Sequence, residues 1–266
     1  MQLPLYQVDA FVIEGRPFSG NPAAVVPLAS WLPDGLLQAI AAENNLAETA
    51  FFVPTGDSFH LRWFTPVLEV DLCGHATLAT AATIMEKLKP TLKTTQFTTQ
   101  TAGPLIVRRS GDQYELDFPA QPPQDISLPH GLAKALGAAP TQMLAASKNL
   151  AVFSDATTVR QMKPDLHFVK QLDRDGLIVT APGDTPDHDF VSRYFAPHAG
   201  IDEDPATGSA HCILVPYWAK RLGKTTLRAR QASTRGADFG CTLKNDRVLM
   251  RGKTRFYLEG TIEIPG

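Results

Sequence analysis

The chain carries an internal repeat, each copy of which spans about half of its length. The first copy reads RWFTP from Arg62, continues through an acidic loop and ends in GHA from Gly74. The second copy reads RYFAP from Arg193, passes through another acidic loop and ends in GSA from Gly208. The arginines are 131 residues apart and the glycines 134, so the copies match after a three-residue insertion. Features shared in one order over this length indicate a duplication rather than two unrelated strand-to-helix turns.

A duplication predicts two similar halves. Each half would present a helix N-terminus preceded by a strand, and we expect a pseudo-twofold axis to bring the two termini face to face across a cleft that holds the site. The proline-rich stretch PAQPPQ at 119–124 is expected to link the halves. The expected domains are 1–118, with the final strand at 257–266 as a candidate to complete it, and 119–256.

Hydrophobic periodicity predicts the main elements. Short strands are predicted at 5–12, 49–53, 60–64, 105–109 and 113–118, and helices at 33–44, 76–87 and 209–221. The helix at 76–87 is small or apolar nearly all round, which indicates that other structure, such as a curved sheet, encloses it. Pro216 removes one backbone hydrogen bond from the last helix, so we expect a kink or a restart there.

The composition excludes several classes of function. Lys and Arg number 25 against 27 Asp and Glu, a formal net charge of -2, so no basic excess is available to bind a nucleic acid. No apolar stretch approaches the roughly 20 residues of a membrane span, and the N-terminus lacks a signal-peptide pattern. Cys73, Cys212 and Cys241 are widely spaced and odd in number, which favours free thiols over a disulfide framework or a zinc knuckle. We therefore expect a soluble, cytoplasmic protein.

Four ordered motifs resemble those of the phenazine-biosynthesis-protein-like family. They are GNPAAV from Gly20, NLAETAF from Asn45, FTP from Phe64 with its acidic loop and GH, and EDPATGSA from Glu203. The resemblance runs nearly end to end. It implies the α+β fold of the diaminopimelate-epimerase-like superfamily, in which two pseudo-symmetric domains each form a curved sheet or incomplete barrel around a central helix. It also implies a cofactor-free and metal-free isomerisation by proton transfer.

The resemblance assigns the acid/base role to Glu48, with His75 and Asp204 as its partners at the substrate. Glu48 directly precedes an apolar strand, where partial burial would favour the neutral carboxyl group that a proton shuttle needs near neutral pH. The alternative is an ordinary solvated glutamate at a strand edge. For His75 the alternative is a structural histidine.

Gly74 and Gly208 each open a helix, where unpaired backbone N–H groups and the helix dipole favour an anion. This pattern predicts a small substrate that carries a carboxylate, although glycine also permits a tight turn without any ligand. An arginine in the later stretch RQASTRGA could add hydrogen bonds to the anion, or could be merely exposed. The candidate substrate-binding residues are Gly74, Gly208, Ser209, Cys73, Thr207, Asn21 and Arg235.

Cys73 separates two possible chemistries. Racemases of the same superfamily use one cysteine on each side of the substrate, but Thr207 stands at the matching position of the second copy. A single thiol cannot supply the second acid, so two-cysteine racemisation is disfavoured, and Cys212 is expected to pack in the core.

The acids at 202–204 could form a cation site or a solvated loop, but they lack EF-hand spacing, so we expect no metal. We also expect no cofactor, because GxGxxG and P-loop motifs are absent.

Two functions remain open from the sequence. The first is a cofactor-independent isomerase that moves a proton on a small anionic metabolite. The second is a non-catalytic metabolite-binding or protein-interaction module that retains the cleft. We expect a homodimer, since a twofold dimer is the commonest closed assembly.

Overall fold

The computed structural model describes residues 1–264, which form two compact units. Unit 1 comprises Met1–Asp117 and the chain from Arg251 onward, and unit 2 comprises Phe118–Met250. The returning segment of unit 1 thus begins at 251, whereas the final strand predicted as a candidate to complete this unit was 257–266. The last two residues of that range, Pro265 and Gly266, lie outside the described residues.

The elements follow one another in a strand-rich order. The strands are β1 (Gln2–Val12), β2 (Asn21–Pro27), β3 (Glu48–Thr55), β4 (Ser58–Phe64), β5 (Glu69–Val70), β6 (Thr94–Thr98), β7 (Leu105–Ser110), β8 (Gln113–Pro119), β9 (Gln124–Asp125), β10 (Gln142–Ala145), β11 (Asn149–Val152), β12 (Leu177–Thr185), β13 (His188–Phe195), β14 (Thr226–Gln231), β15 (Ala237–Lys244) and β16 (Arg247–Glu263). The helices are α1 (Asp34–Asn44), α2 (Gly74–Thr83), α3 (Leu132–Leu136), α4 (Ala156–Gln161), α5 (Leu166–Lys170) and α6 (Gly208–Leu222). Within 1–264, no helix combines the length and the apolar character needed to cross a membrane.

Unit 1 is a closed sheet around α2. Its strands pair in the order β1-β2-β3-β4-β6-β7-β8-β16, and β16 pairs with β1 to complete the ring. Every residue of α2 is buried, which confirms that this helix is enclosed. Its three threonines are tolerated there because each hydroxyl donates to the carbonyl four residues earlier, as Thr80 does to Ala76 at 2.7 Å. The helix then continues into a π-helical turn, Ile84–Leu88.

Unit 2 also packs its sheet against one long helix, α6, most of whose residues are buried, but no strand pairing closes this sheet into a ring within the described residues. Its strands pair in the order β9-β10-β11-β12-β13-β14-β15, followed by the start of β16. Helix α6 does not restart at Pro216 but runs without interruption from Gly208 to Leu222. Proline has no N–H to bond the carbonyl of Cys212, and that carbonyl instead accepts from the backbone N–H of Gln121 at 2.9 Å. The missing helical bond is thereby replaced by one to the segment that follows β8.

The duplicated motif builds the same ion pair in both units. Arg62 donates through Nε and Nη2 to the two carboxylate oxygens of Glu69, both at 2.7 Å. Arg193 donates in the same way to Glu203, at 2.7 and 2.9 Å. The three-residue insertion in the second copy coincides with a short 3₁₀ turn, Pro197–Ala199. Each of these two-bond arginine–glutamate pairs, or arginine forks, holds the acidic loop against its strand, immediately before the long helix of that unit begins.

Candidate active site

In unit 1 the structure brings Glu48 and His75 together. Glu48 is the first residue of β3 and His75 the second residue of α2. Oε2 of Glu48 lies 3.1 Å from Nε2 of His75, and the two side chains are only 13% and 3% exposed. Both atoms are buried, and neither makes a well-directed hydrogen bond within the described residues. Oε2 of Glu48 and Nε2 of His75, which lie side by side, can therefore each still form a hydrogen bond.

The other ring nitrogen of His75 is held by two neighbours. Nδ1 lies 3.0 Å from Nδ2 of Asn21 and 3.4 Å from Sγ of Cys73. When His75 is neutral, the Asn21 amide can donate to Nδ1 and the ring proton lies on Nε2, facing Glu48; in the imidazolium both nitrogens carry protons, and Nδ1 is a donor instead. This arrangement suits proton exchange between the imidazole and the carboxylate.

Asn21 owes its position to the residue before it. Gly20 has a φ of +79°, and a Cβ at this position would lie 2.5 Å from the carbonyl oxygen of Ala10. Only glycine combines that backbone conformation with so close an approach. The GNPAAV motif thus places an amide at the start of β2, beside the imidazole.

The charges of the cluster are set by burial and by mutual contact. Burial raises the pKa of the Cys73 thiol to about 11, with a further contribution from the nearby Glu48 carboxylate. Burial alone would lower the pKa of His75, but Cys73 and Glu48 outweigh it and hold that pKa well above its usual range. Because the Cys73 thiol is neutral near neutral pH, we assign the stabilisation of an imidazolium there to the Glu48 carboxylate.

Glu48, Cys73 and His75 could also hold a metal ion, since their ligand atoms all lie within 4.8 Å of one another. A thiolate, an imidazole and a carboxylate are ligand types that zinc accepts.

In unit 2 the predicted residues Asp204 and Thr207 form a compact network before α6. The hydroxyl of Thr207 donates to Oδ2 of Asp204 at 2.5 Å. The buried amide of Gln231 accepts from the backbone N–H of Thr207 at 2.8 Å and donates to the carbonyl of Asp204 at 2.7 Å. Gln231 thus fixes both ends of the DPAT turn, and Gly208 and Ser209 follow as the first residues of the helix.

The acidic loop of unit 2 is not a simple cluster of free carboxylates. Glu203 is paired with Arg193, and Asp204 accepts from Thr207, whereas Asp202 is exposed. The predicted Arg235 lies half-buried in the loop between β14 and β15.

His211, one turn into α6, is a fully buried histidine that was not among the predicted site residues. Its Nδ1 contacts the carbonyl oxygen of Thr207 at 2.8 Å, and its ring stacks on Phe239 with centroids 3.8 Å apart. Burial lowers the pKa of His211 to about 4, so the ring is neutral near neutral pH. Since a carbonyl only accepts, Nδ1 carries the proton and Nε2 is an acceptor, with no hydrogen-bond partner in the part of the chain that the structure describes. Its place one turn into the GSAH helix was the available signal.

The two units differ at the position of the acid. In unit 1, Thr49 pairs with Phe64, so Glu48 stands one residue before that pair. In unit 2, Leu177 pairs with Phe195 in the same register, so Gly176 takes the place of Glu48. A Cβ on Gly176 would lie 2.3 Å from the carbonyl oxygen of Phe195, so no side chain fits. The carboxylate of β3 has no counterpart in the second copy.

Comparison with known proteins places these features in a family context. The model of a family described as phenazine biosynthesis-like protein matches residues 8–261. An uncharacterized isomerase of Pseudomonas aeruginosa is 48% identical over 264 residues, which cover 99% of this chain and 100% of the relative.

Solved structures agree with that match. A phenazine biosynthesis protein family member from Enterococcus faecalis superposes with a TM-score of 0.94 at 45% identity, covering 99% of this chain and 100% of the other. A hydroxyproline epimerase from Agrobacterium vitis superposes with a TM-score of 0.61 at 11% identity, covering 98% and 92%, and at that identity the likeness concerns the fold alone. The predicted diaminopimelate-epimerase-like α+β fold is confirmed.

Proposed function

The chain belongs to the phenazine biosynthesis-like protein family, and from this membership and the geometry of unit 1 we propose that it is a cofactor-independent isomerase. Its substrate would be a small metabolite that carries a carboxylate. The observation that carries the proposal is the 3.1 Å contact between Oε2 of Glu48 and Nε2 of His75, both buried and both without a well-directed partner within residues 1–264. The naming of a relative as an isomerase supports the same class of reaction.

In the proposed mechanism, the Glu48 carboxylate accepts a proton from one carbon of the substrate and returns it to another. His75 faces the Glu48 carboxylate through Nε2. A hydrogen bond from Nε2 stabilises the carboxylate when it is charged and weakens when Glu48 has taken up the proton. Asn21 keeps the imidazole oriented through Nδ1. The neutral Cys73 thiol takes no part as a base, because burial raises its pKa to about 11.

The remaining predicted residues keep roles in binding. Gly74 opens α2 in unit 1, and Gly208 and Ser209 open α6 in unit 2; we propose that each helix N-terminus, taken by itself, is suited to bind a carboxylate. Asp204 is proposed as a polar partner at the substrate, and its contact with the Thr207 hydroxyl supports a fixed orientation.

We also propose a cellular location and an oligomeric state. None of the three cysteines forms a disulfide in the described chain, in keeping with the cytoplasmic location that we propose. A twofold homodimer is the proposed assembly.

The test is solvent deuterium incorporation, followed by mass spectrometry, into a panel of small carboxylates: a dihydro-hydroxyanthranilate, diaminopimelate, proline and simple amino acids. We expect label in one compound, with wild type but not with Glu48→Gln, and the same label after treatment with a chelator. Label that vanishes with the chelator and returns with Zn²⁺ would contradict the cofactor-free mechanism.

The competing function is a metabolite-binding module without turnover. It predicts thermal stabilisation by a panel compound in both wild type and Glu48→Gln, and label in none. That outcome would replace the isomerase proposal.

A further inference from the structure

Lys148 is a buried cation without an ion pair. It lies in the short loop between β10 and β11, and only 8% of the residue is exposed. Among residues 1–264, no carboxylate forms a salt bridge with its ammonium group, and no hydrogen bond to Nζ is present. Lysine is almost never buried to this degree unless it is paired. A lysine kept in this state despite the cost of its desolvation is a candidate to bind an anionic ligand.

The surroundings of Lys148 lead to the N-terminal end of α6. Its Nζ lies 5.3 Å from the ring centroid of Tyr194, which provides a cation–π contact. Burial lowers the pKa of Lys148, while the charges of Asp175 and Asp204, neither of which forms a salt bridge with it, act in the opposite direction. The other titratable groups close enough to interact with it are Cys212, which is on α6, and His198. The aromatic partner of the ammonium group, Tyr194, also accepts at its carbonyl from the backbone N–H of Asp204 at 3.0 Å, so Lys148 packs on the residue that holds the start of the turn before α6.

The strand register shows why Lys148 has this place. In unit 1, β2 and β3 run parallel with Ala23 opposite Glu48 and Ala24 opposite Thr49. In unit 2, Asn149 lies opposite Leu177, so Lys148 and Gly176 precede that pair as Ala23 and Glu48 do in unit 1.

The two copies therefore carry opposite charges at the same cross-strand pair, but on different strands of it. Unit 1 has an acid on the second strand and a small residue on the first. Unit 2 has glycine on the second strand, where a Cβ is sterically impossible, and a cation on the first. A base that removes protons in one copy is matched by a group suited to bind an anion in the other.

The first turn of α6 offers the complementary donors. The backbone N–H groups of Gly208 and Ser209 begin the helix and have no intrahelical acceptors. The Ser209 hydroxyl, half-buried, makes no hydrogen bond in the described part of the chain. By contrast, the N–H of Thr207 is already bonded to Gln231. The unused donors and the unpaired ammonium group belong to the same end of unit 2.

We propose that Lys148, with the first turn of α6, forms a carboxylate-binding site in unit 2 and makes the protein selective for ligands that carry a carboxylate over their neutral amides. The inference deepens the proposed function and rests on it in placing an anionic ligand at α6. It does not depend on proton transfer by Glu48.

The test measures the binding of benzoate and of its neutral analogue benzamide by calorimetry, at constant ionic strength. Wild type, Lys148→Met and Lys163→Met are compared. Lys163 is an exposed lysine of unit 2, so it controls for the loss of one positive charge. We expect wild type and Lys163→Met to bind benzoate alike and to prefer it to benzamide. Lys148→Met should lose at least about tenfold in benzoate affinity and should no longer prefer it to benzamide.

Three results would overturn the inference: no benzoate binding by wild type, equal affinity of wild type for benzoate and benzamide, or unchanged benzoate affinity in Lys148→Met. Methionine has a similar volume and no charge, so the variant should melt at or above the wild-type temperature. If it does not fold, Lys148→Gln is titrated instead and the same affinities decide. Benzoate and benzamide binding involves no proton transfer, so a failure of the proton-transfer mechanism remains distinguishable from a failure of the carboxylate site.

Discussion

Nε2 of His75 lies 3.1 Å from Oε2 of Glu48, although the two residues stand 27 positions apart on a helix and a strand. The contact exists because the closed sheet of unit 1 places the first residue of β3 against the first turn of the helix that it surrounds. Asn21 and Cys73 hold the far side of the same imidazole. The side chains of Glu48, His75 and Asn21 thus form a short series of contacts that ends at the Glu48 carboxylate.

The raised pKa of His75 predicts a pH-dependent stability. The imidazolium is favoured in the folded state, so its contribution is fully present below the unfolded pKa of about 6.5. That contribution is lost as the pH rises from there through the folded pKa, which lies well above this value. The free energy of unfolding of wild type should therefore fall with increasing pH over this window.

Urea denaturation at several pH values measures this dependence. His75→Asn should show a flatter profile than wild type, whereas His130→Asn, at an exposed position, should keep the wild-type slope. Parallel profiles for wild type and His75→Asn would show that no such coupling exists.

The Cys73 thiol is predicted to be unreactive and dispensable as a base. Burial raises its pKa to about 11, so very little thiolate is present near neutral pH. Cys73→Ser should keep proton exchange within about tenfold of wild type, because general acid–base catalysis by another residue would be unaffected. Native protein should also react slowly with iodoacetamide. A loss of exchange as large as that of Glu48→Gln would place the thiol in the mechanism.

Gly20 is predicted to be irreplaceable, and Gly15 provides a matched control. Both have a positive φ, +79° and +73°, but a Cβ on Gly15 meets no atom within 4 Å. Gly15→Ala should cost only the left-handed backbone conformation, about 1–2 kcal/mol. Gly20→Ala should cost roughly 1–3 kcal/mol more, because the new methyl group would overlap the carbonyl of Ala10. Equal losses in the free energy of unfolding would refute the steric argument.

The repeated arginine fork is predicted to stabilise unit 2. Arg193 binds Glu203 with both oxygens engaged and also donates to the carbonyl of Met162 at 2.6 Å. Arg193→Met would leave a mostly buried carboxylate unpaired, at a cost on the order of 3 kcal/mol. Arg160→Met removes a more exposed pair with Asp184 and should cost about 0–1 kcal/mol. Chemical denaturation compares the two, and similar losses would show that the fork has no special role.

Much of this architecture could be predicted because apolar residues recur with the period of strands and helices and because one motif is repeated. The alternation of apolar residues located the strands, and the small residues after Gly74 indicated an enclosed helix, as α2 proves to be. The shared order of arginine, acidic loop and glycine predicted two similar halves, and the Arg62 and Arg193 forks show that the repeat extends to individual hydrogen bonds.

The remaining site residues could not be predicted, because their position depends on register between strands. Lys148 occupies a loop without any motif, and only the pairing of β11 with β12 places it beside Gly176. His211 resembles any helical histidine until its burial is known. Glu48 and Asn21 were found through the family motifs, but their contacts with opposite nitrogens of His75 follow from the closure of the sheet.

The most direct test of the proposed mechanism is the rate of solvent deuterium incorporation into the substrate by Glu48→Gln, with Glu43→Gln as a control. Glu43 is an exposed glutamate on α1, so its substitution changes the net charge equally without touching the site. If Glu48 transfers the proton, Glu48→Gln should lose at least about 10²-fold in rate while its unfolding transition stays cooperative. Glu43→Gln should exchange at the wild-type rate. Incorporation by Glu48→Gln at the rate of Glu43→Gln would contradict the assignment of Glu48 as the acid/base.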